Sequence, residues 1–456
     1  MEIKSFKQKY PASFDEYLEC AIEAEKYVSS FLVENDEFTS IDFSKYEFKS
    51  EKNSYYKGNA GLLHMYLQLN ALAPREEYDK KIRGLTRYIG AHFMDDVSYA
   101  KEHGEFVPGM AEAFYTGLAG IGLVMNEVFR LRNDQVAKET TERIISYYIC
   151  NVSEKQDVFW SDNSAVFFDG GIILYLIDSL ELFEGEKKKR LTDIIIRGVD
   201  HILANGIVHP EGGLEIDYGH VDFKHKEPNF EFGTAGAGYL FTKAYELTGN
   251  EKYIEAAKET VKYLLGIAVK QKKGYLIPYK LTLKDNLFYL GNCHGPVGTI
   301  KLFLELYRVT GQRFYYEQIE ELCDGMESLG APVNMSSGYW NTTCVCCGPA
   351  GFVPLYTWLY RENGNSRWKK LAKEVGSILL GTKTNEGAPE KKIIRWDISY
   401  DRTNTGLITA PIGYFDGAAG IITALLQLYI FENPENNEEP HIYAMIDDPY
   451  NDVKNM

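Results

Sequence analysis

Apolar and charged residues follow two helical rhythms that take turns along this chain. In the first rhythm apolar residues recur every three or four positions between charges. It runs through YDKKIRGLTRYIGAHF from Tyr78, AKETTERIISYYI from Ala137, KYIEAAKETVKYLLGIA from Lys252 and WKKLAKEVGSILLG from Trp368. That period predicts helices with one wet face. In the second rhythm charges are scarce, as in GLLHMYLQL from Gly61, GIGLVMNEVF from Gly120, GYLFTKAYELTG from Gly238, GTIKLFLELYRVTG from Gly298 and GIITALLQLYIF from Gly420. Segments of this kind are predicted to be helices buried on most sides.

A short glycine cassette opens each of the more apolar segments. The seven cassettes are GNAG (Gly58–Gly61), GLAG (Gly117–Gly120), GGII (Gly170–Ile173), GTAG (Gly233–Gly236), GPVG (Gly295–Gly298), GPAG (Gly348–Gly351) and GAAG (Gly417–Gly420). Their recurrence at 53 to 69 residues is repeat architecture. The first glycine is read as giving backbone freedom at the turn, and the second as letting neighbouring helices approach closely. The third cassette, as spelled, lacks its second glycine. A pair of helices per repeat buries too little alone, and seven pairs close most simply into an all-α double ring, an α/α toroid of about seven inner and seven outer helices. The cassettes then gather at one end of that ring.

Composition narrows the functional classes. A chain of 456 residues with 45% hydrophobic content can bury a large core, and a formal charge of −16 opposes nucleic acid or an anionic membrane as partner. No leader-like opening and no run of eighteen apolar residues occurs, so the expected location is cytoplasmic, without a membrane span. Residues 1–432 read as a single toroid unit. Residues 433–456, acidic and poor in aliphatics, read as a loosely ordered acidic C-terminal tail. KTNEGAPEKK, from Lys383 to Lys392, reads as an exposed loop.

Seven cysteines, two of them adjacent in CVCCG, suit reduced thiols or metal ligation better than a disulfide framework. Cys293 and Cys346 hold the same place, two residues before the first glycine of successive cassettes, with His294 and Cys347 directly after them. Thiolate sulfur binds Zn²⁺ strongly, and a catalytic site has three protein ligands with the fourth position open. Cys293, Cys346 and Cys347 make such a set. A closed site completed by Cys344 or His294 is the structural alternative, and simple burial of small apolar side chains is another.

These cassettes and cysteines resemble the lanthionine synthetase C family, cyclases that close thioether rings in ribosomally made peptides, over nearly the whole chain. The resemblance implies an α/α toroid with one zinc ion at the end of its cavity. By that resemblance Cys293 and Cys346 match the first two ligands, and Cys347 stands where many members have a histidine. The implied reaction adds a cysteine thiol to dehydroalanine or dehydrobutyrine. It further implies a peptide substrate bearing both groups and a separate dehydratase partner.

The chain departs from the better-known cyclases at Phe232, where they carry histidine, at Tyr289, where they carry arginine, and at His294, where they carry tyrosine. Their catalytic aspartate has no match at the corresponding spacing, although Asp169 lies directly before Gly170. His294 and Asp169 are the catalytic candidates, His294 as an acid titrating near neutrality and Asp169 as a residue at the mouth of the ring. Asp416 holds a similar place to Asp169, and both also suit a helix N-cap. His220, His225, Trp160 and Trp340 are candidates for a peptide-facing rim. A zinc-bearing scaffold or peptide-binding protein without catalysis is the competing function.

Overall fold

The computed structural model describes residues 15–46, 50–105, 107–153, 159–217, 226–281, 287–333, 342–386, 393–399, 406–432 and 444–451. His220, His225 and Trp340 lie outside these. The four wet-faced segments become α3 (Glu76–His92), α6 (Gln135–Asn151), α10 (Glu251–Gly266) and α14 (Ser366–Thr382), and three outer helices not singled out in the sequence join them, α1 (Asp15–Ser29), α8 (Gly185–Ala204) and α12 (Arg313–Ser328). The apolar ones become α2 (Asn59–Leu72), α5 (Leu118–Arg132), α7 (Asp169–Ser179), α9 (Thr234–Thr248), α11 (Pro296–Thr310), α13 (Phe352–Asn363) and α15 (Ala418–Glu432). A further helix, α4 (Asp95–His103), stands outside this alternation.

Burial separates the two sets as their patterns predict. Every residue of α2 from Asn59 to Leu69 is buried, whereas α3 buries a stripe containing Tyr78, Ile82, Leu85 and Ile89. Each inner helix packs on the outer helix that follows it in sequence, from α2 on α3 through α13 on α14. The last inner helix, α15, packs on α1, so the beginning of the chain supplies the outer partner for its end and closes the double ring. The fold is the expected α/α toroid.

Outer and inner helices begin differently. Asp134, Asn250 and Asn365 cap α6, α10 and α14 by accepting from backbone N–H groups. Inner helices instead start at cassette glycines in extended conformation, φ between −97° and −155° at Gly58, Gly117, Gly233 and Gly295. Any residue can adopt those angles, so the first glycine is not required for backbone freedom. Space requires it: a Cβ at Gly58, Gly117 or Gly233 would overlap backbone atoms of its own loop.

Four two-stranded antiparallel hairpins follow outer helices and rim the cassette end of the ring. They are β1 (Leu32–Glu34) with β2 (Thr39–Ile41), β3 (Ile207–Val208) with β4 (Leu214–Glu215), β5 (Val269–Lys270) with β6 (Tyr275–Leu276), and β7 (Thr384–Glu386) with β8 (Ile393–Arg395). The loop expected at 383–392 is thus partly strand, with Thr384 paired to Arg395 and Glu386 to Ile393.

Two sequence expectations are corrected. In the third repeat Phe168 takes the cap position, and Gly171 fills the second-glycine place. A Cβ on Gly171 would strike Val166 O of its own loop and Phe114 of the preceding one, as the second glycines of other cassettes do. The repeat therefore lacks its first glycine, not its second. Within the expected tail, the described residues 444–451 are not loosely ordered: Met445, Asp447, Tyr450 and Asn451 are buried inside the ring. The acidic composition misleads because the Asp447 and Tyr450 side chains find hydrogen-bond partners there. Among the described residues no helix is long and apolar enough to cross a membrane.

Candidate metal centre

The seven cassette loops are joined at the mouth of the toroid by a closed circle of backbone hydrogen bonds. Tyr56 N donates to Tyr115 O, Phe114 N to Phe167 O, Phe167 N to Glu231 O and Glu231 N to Cys293 O. Cys293 N and Asn292 N then donate to Cys346 O, Cys346 N to Phe415 O, and Phe415 N back to Tyr56 O. Each repeat contributes one or two adjacent residues to the circle, and Cys293 and Cys346 are neighbours in it. This explains why two thiols separated by a whole repeat meet.

Gly291 brings the two loops into contact, since a Cβ there would crowd Cys346 O and the Cys347 backbone. The Sγ atoms of Cys293, Cys346 and Cys347 lie within 4.8 Å of one another, and all three residues are buried. Cys347 Sγ is 3.5 Å from Cys293 Sγ and 3.4 Å from Cys346 Sγ. Tetrahedral zinc with Zn–S bonds of about 2.3 Å needs sulfurs roughly 3.8 Å apart. The three thiols fit the ion with small adjustments.

Their acidities point the same way. Burial opposes ionisation of Cys293, yet hydrogen bonds from Cys346 and Cys347 outweigh it and bring that thiol down to about 7. Its hydrogen bond to Cys293 drives Cys346 up, and burial followed by the hydrogen bond to Cys293 drives Cys347 up. A negative charge on one thiol of the cluster opposes ionisation of the other two, and a divalent metal bound among them would offset that repulsion. Cys344 stands apart: burial and then repulsion from Cys346 push it up to about 12, and Thr342 is its hydrogen-bonding neighbour. Neither Cys344 nor His294 belongs to the group of three.

His294 is held beside the thiols rather than among them. Its ring stacks on Phe232 with centroids 5.0 Å apart, meets Tyr279 edge-on at 4.7 Å and lies 5.8 Å from Tyr289. The Nδ1 atom is 3.1 Å from Glu227 Oε2, and Lys280 Nζ is 2.9 Å from Glu227 Oε1. Burial works against the Glu227 charge, but His294 and Lys280 outweigh it and hold that carboxyl below its usual range. Phe232 and Tyr289 thus wall the imidazole.

Asp169 is engaged elsewhere. Its carboxylate accepts hydrogen bonds from Trp160 N, Ser161 N, Ser161 Oγ and Asp162 N, fixing the loop before α7. Burial raises its pKa while those bonds lower it, and no cysteine is among the groups acting on it. Trp160 is tied into the same loop, with Nε1 donating to Tyr148 O. Two residues at the cluster are absent from the sequence-derived set. Glu231 stands in the circle next to Cys293, accepts from Asn292 Nδ2, and is pushed well above the carboxylate range by burial and by Cys346. It occupies the place of Cys293 and Cys346 in its own cassette, which aligned repeats would have revealed. Tyr56 places its hydroxyl within hydrogen-bonding reach of Cys346, again from the same place in its repeat.

A closed double ring of helices with a buried thiol cluster among its cassette loops defines the class. The chain matches the model of the lanthionine synthetase C-like protein family over residues 49–440 and belongs to that family. Among solved structures it is similar to nisin cyclase, at a TM-score of 0.60 and 17% identity, covering 90% of this chain and 93% of that one. It also aligns with the Lin0763 protein from Listeria innocua at a TM-score of 0.46 and 11% identity, covering 93% of this chain and 99% of that one. No curated protein sequence matches it.

Proposed function

We propose that this protein is a zinc-dependent cyclase-type enzyme that adds cysteine thiols to dehydroalanine or dehydrobutyrine in a peptide, forming thioether rings. The observation that carries the reading is the convergence of Cys293, Cys346 and Cys347 on one point at the mouth of the ring, with no fourth protein ligand among the described residues. Cys293, Cys346 and Cys347 would hold a zinc ion, which would supply thiol activation by favouring the thiolate form of a substrate cysteine at neutral pH.

The chain's own residues then position and protonate. As the new C–S bond forms at the β-carbon, the C=C electron pair moves onto the α-carbon and its carbonyl, and the α-carbon must gain a proton. His294 stands beside Cys293, its Nδ1 3.1 Å from Glu227 Oε2 but without hydrogen-bond geometry, and its imidazole is the group proposed to deliver that proton. Phe167 and Phe232, stacked at 4.9 Å, supply an apolar wall for the peptide and shield the site from water. In this reading Asp169 builds the loop before α7 and takes no part in proton transfer.

The substrate approaches from the hairpin-rimmed end, because the lumen behind the cluster is filled by the end of the chain and keeps a cavity of only about 60 Å³. That is room for a few waters. A cytoplasmic setting and a dehydratase acting beforehand on the same peptide complete the proposal. The one-unit reading of residues 1–432 also stands as a proposal.

The test is metal content together with thiol addition to a dehydroalanine peptide, for wild type, Cys293→Ala, Cys347→Ala and His294→Gln. We expect one zinc per chain in wild type and in His294→Gln, its loss in both cysteine variants, and a drop in addition rate of about 10²- to 10⁴-fold in His294→Gln. Zinc bound without any addition by wild type would establish the scaffold reading, which Phe232 and Tyr289 favour. Absence of zinc from wild type would remove the metal site.

A further inference from the structure

The inner ring is loosest at the seam between α11 and α13, the helices that follow the two thiol-bearing loops, although the loops themselves are tied by backbone hydrogen bonds to Cys346 O. At six junctions the second glycine of a cassette seats a side chain of the neighbouring loop. Gly61 receives Tyr414, Gly120 Tyr55, Gly171 Phe114, Gly236 Val166, Gly298 Phe230, and Gly420 Val345. At the seventh, Gly351 meets only Val345 of its own loop. Inner helices pack closely on each other around the ring, from α15 on α2 through α9 on α11 and then α13 on α15, but the α11 and α13 backbones stand further apart, joined directly by Tyr307 OH of α11 donating to Glu362 Oε1 of α13 at 3.0 Å. A 3-10 turn at Pro349–Gly351, ahead of α13, accompanies the gap.

The end of the chain fills that seam from inside. Residues 444–451 finish in a 3-10 turn, Pro449–Asn451, which packs on both α11 and α13. The Tyr450 hydroxyl donates to Val297 O at the start of α11, and Arg308 Nη2, near the end of α11, donates to Pro449 O at 2.7 Å. Arg361 Nη2, near the end of α13, donates to Tyr450 O at 3.1 Å, and the Tyr450 ring lies against Trp358 of α13. Gln427 of α15 bridges Asn451 Oδ1 and Thr357 of α13. Elsewhere the segment is anchored by Tyr115 to Asp447 and by Tyr239 to the Ile446 carbonyl.

We propose that residues 444–451 are a positioning element for the thiol cluster: docked in the lumen, they clamp α11 to α13 and so fix the distance between Cys293 and the Cys346–Cys347 pair. The inference rests on the metal-centre reading for its consequence, and on the seam and its wedge for its cause. Cys293 is three residues ahead of α11, and Cys346 and Cys347 lie just ahead of the turn that leads into α13. A shift between these helices is therefore passed to the sulfurs with little slack. Tetrathiolate-like geometry tolerates errors of a few tenths of an ångström, so loss of the clamp weakens metal binding before it unfolds the ring.

Four full-length variants and one shortened chain test this, the fourth being the conservative Arg361→Lys. Tyr450→Phe and Arg361→Gln remove contacts to α11 and α13, Tyr239→Phe removes an anchor to α9 alone, and the shortened chain ends at Tyr443. Zinc affinity is measured by competition with a chromophoric chelator, and the cobalt-loaded protein reports ligand geometry through its thiolate charge-transfer bands. Uptake of phenylarsine oxide, which bridges closely spaced thiols with loss of water, reads the sulfur spacing in metal-free protein.

We expect zinc affinity to fall about tenfold in Tyr450→Phe and Arg361→Gln, with altered cobalt bands and slower arsenical uptake. Arg361→Lys should recover part of the loss. Tyr239→Phe should lower the melting temperature and leave zinc affinity within twofold of wild type. The shortened chain, if folded, should regain affinity when a synthetic peptide of residues 444–456 is added. Unchanged zinc affinity and arsenical uptake in folded Tyr450→Phe and Arg361→Gln would overturn the clamp. Wild type that takes up the arsenical but no zinc would sink the metal reading alone, and the arsenical series would still decide the clamp.

Discussion

At the scale of single residues, identity mattered less than place in the repeat. Cys293, Cys346, Glu231 and Tyr56 share one place relative to their cassettes, and the backbone circle turns that sequence register into spatial adjacency. His294 and Asp169 show the limits of the same logic. Both sit beside a cassette, yet His294 faces Glu227 next to the thiols while Asp169 folds back on residues 160–162. Asp416 is the third acid of this kind. Burial raises its carboxyl to about 7 against the partial compensation of Lys57, and its Oδ1 has no hydrogen-bond partner among the described residues. The unfolded chain releases this proton near 3.8 and the folded chain near 7, so the native state holds the extra proton between them. Stability contributed by this group is therefore present at low pH and lost as pH rises from 3.8 to about 7. Asp416→Asn should flatten that slope and stand above wild type at pH 8, read as urea midpoints at pH 5 and pH 8.

At the scale of helices, the inner ring is joined by polar pairs as well as by apolar packing. His64 Nδ1 on α2 and Glu127 Oε2 on α5 meet at 2.7 Å in a buried hydrogen-bonded pair, both side chains essentially inaccessible, with Gln68 Nε2 donating to the second carboxylate oxygen. Removing one partner leaves the other buried and unpaired, which costs about 3–5 kcal/mol. His64→Leu should lose that much stability in denaturant titration, whereas His64→Leu combined with Glu127→Met should recover most of it. A double variant as unstable as the single one would show that the pair is not the source of the loss. The helix set itself was legible from sequence, because apolar period and charge spacing are local properties. The hairpins were not, since strands of two or three residues carry no periodicity to read.

At the scale of the whole molecule, closure is the deciding event. The outer partner of α15 is α1, from the opposite end of the sequence, and Tyr27 OH donates to Ala410 O at 2.7 Å across the junction. Deleting residues 1–31 should expose the buried run Ala418–Leu428 on α15. We expect such a chain to bind an apolar dye and to elute as aggregate in size-exclusion chromatography, whereas a monomeric, dye-free product would show that α1 is dispensable.

Sequence alone determined the repeat number, the division into wet and dry helices and the identity of the three thiols, because each depends on neighbours within a few residues or on a fixed register between cassettes. Tertiary structure decided which repeat lost which glycine, where Asp169 turns its carboxylate, how Glu227 and Phe232 hold His294, and that residues 444–451 lie inside the ring. Those outcomes depend on which loops become neighbours when the circle closes, and a polar segment is buried whenever closure brings enough hydrogen-bond partners around it.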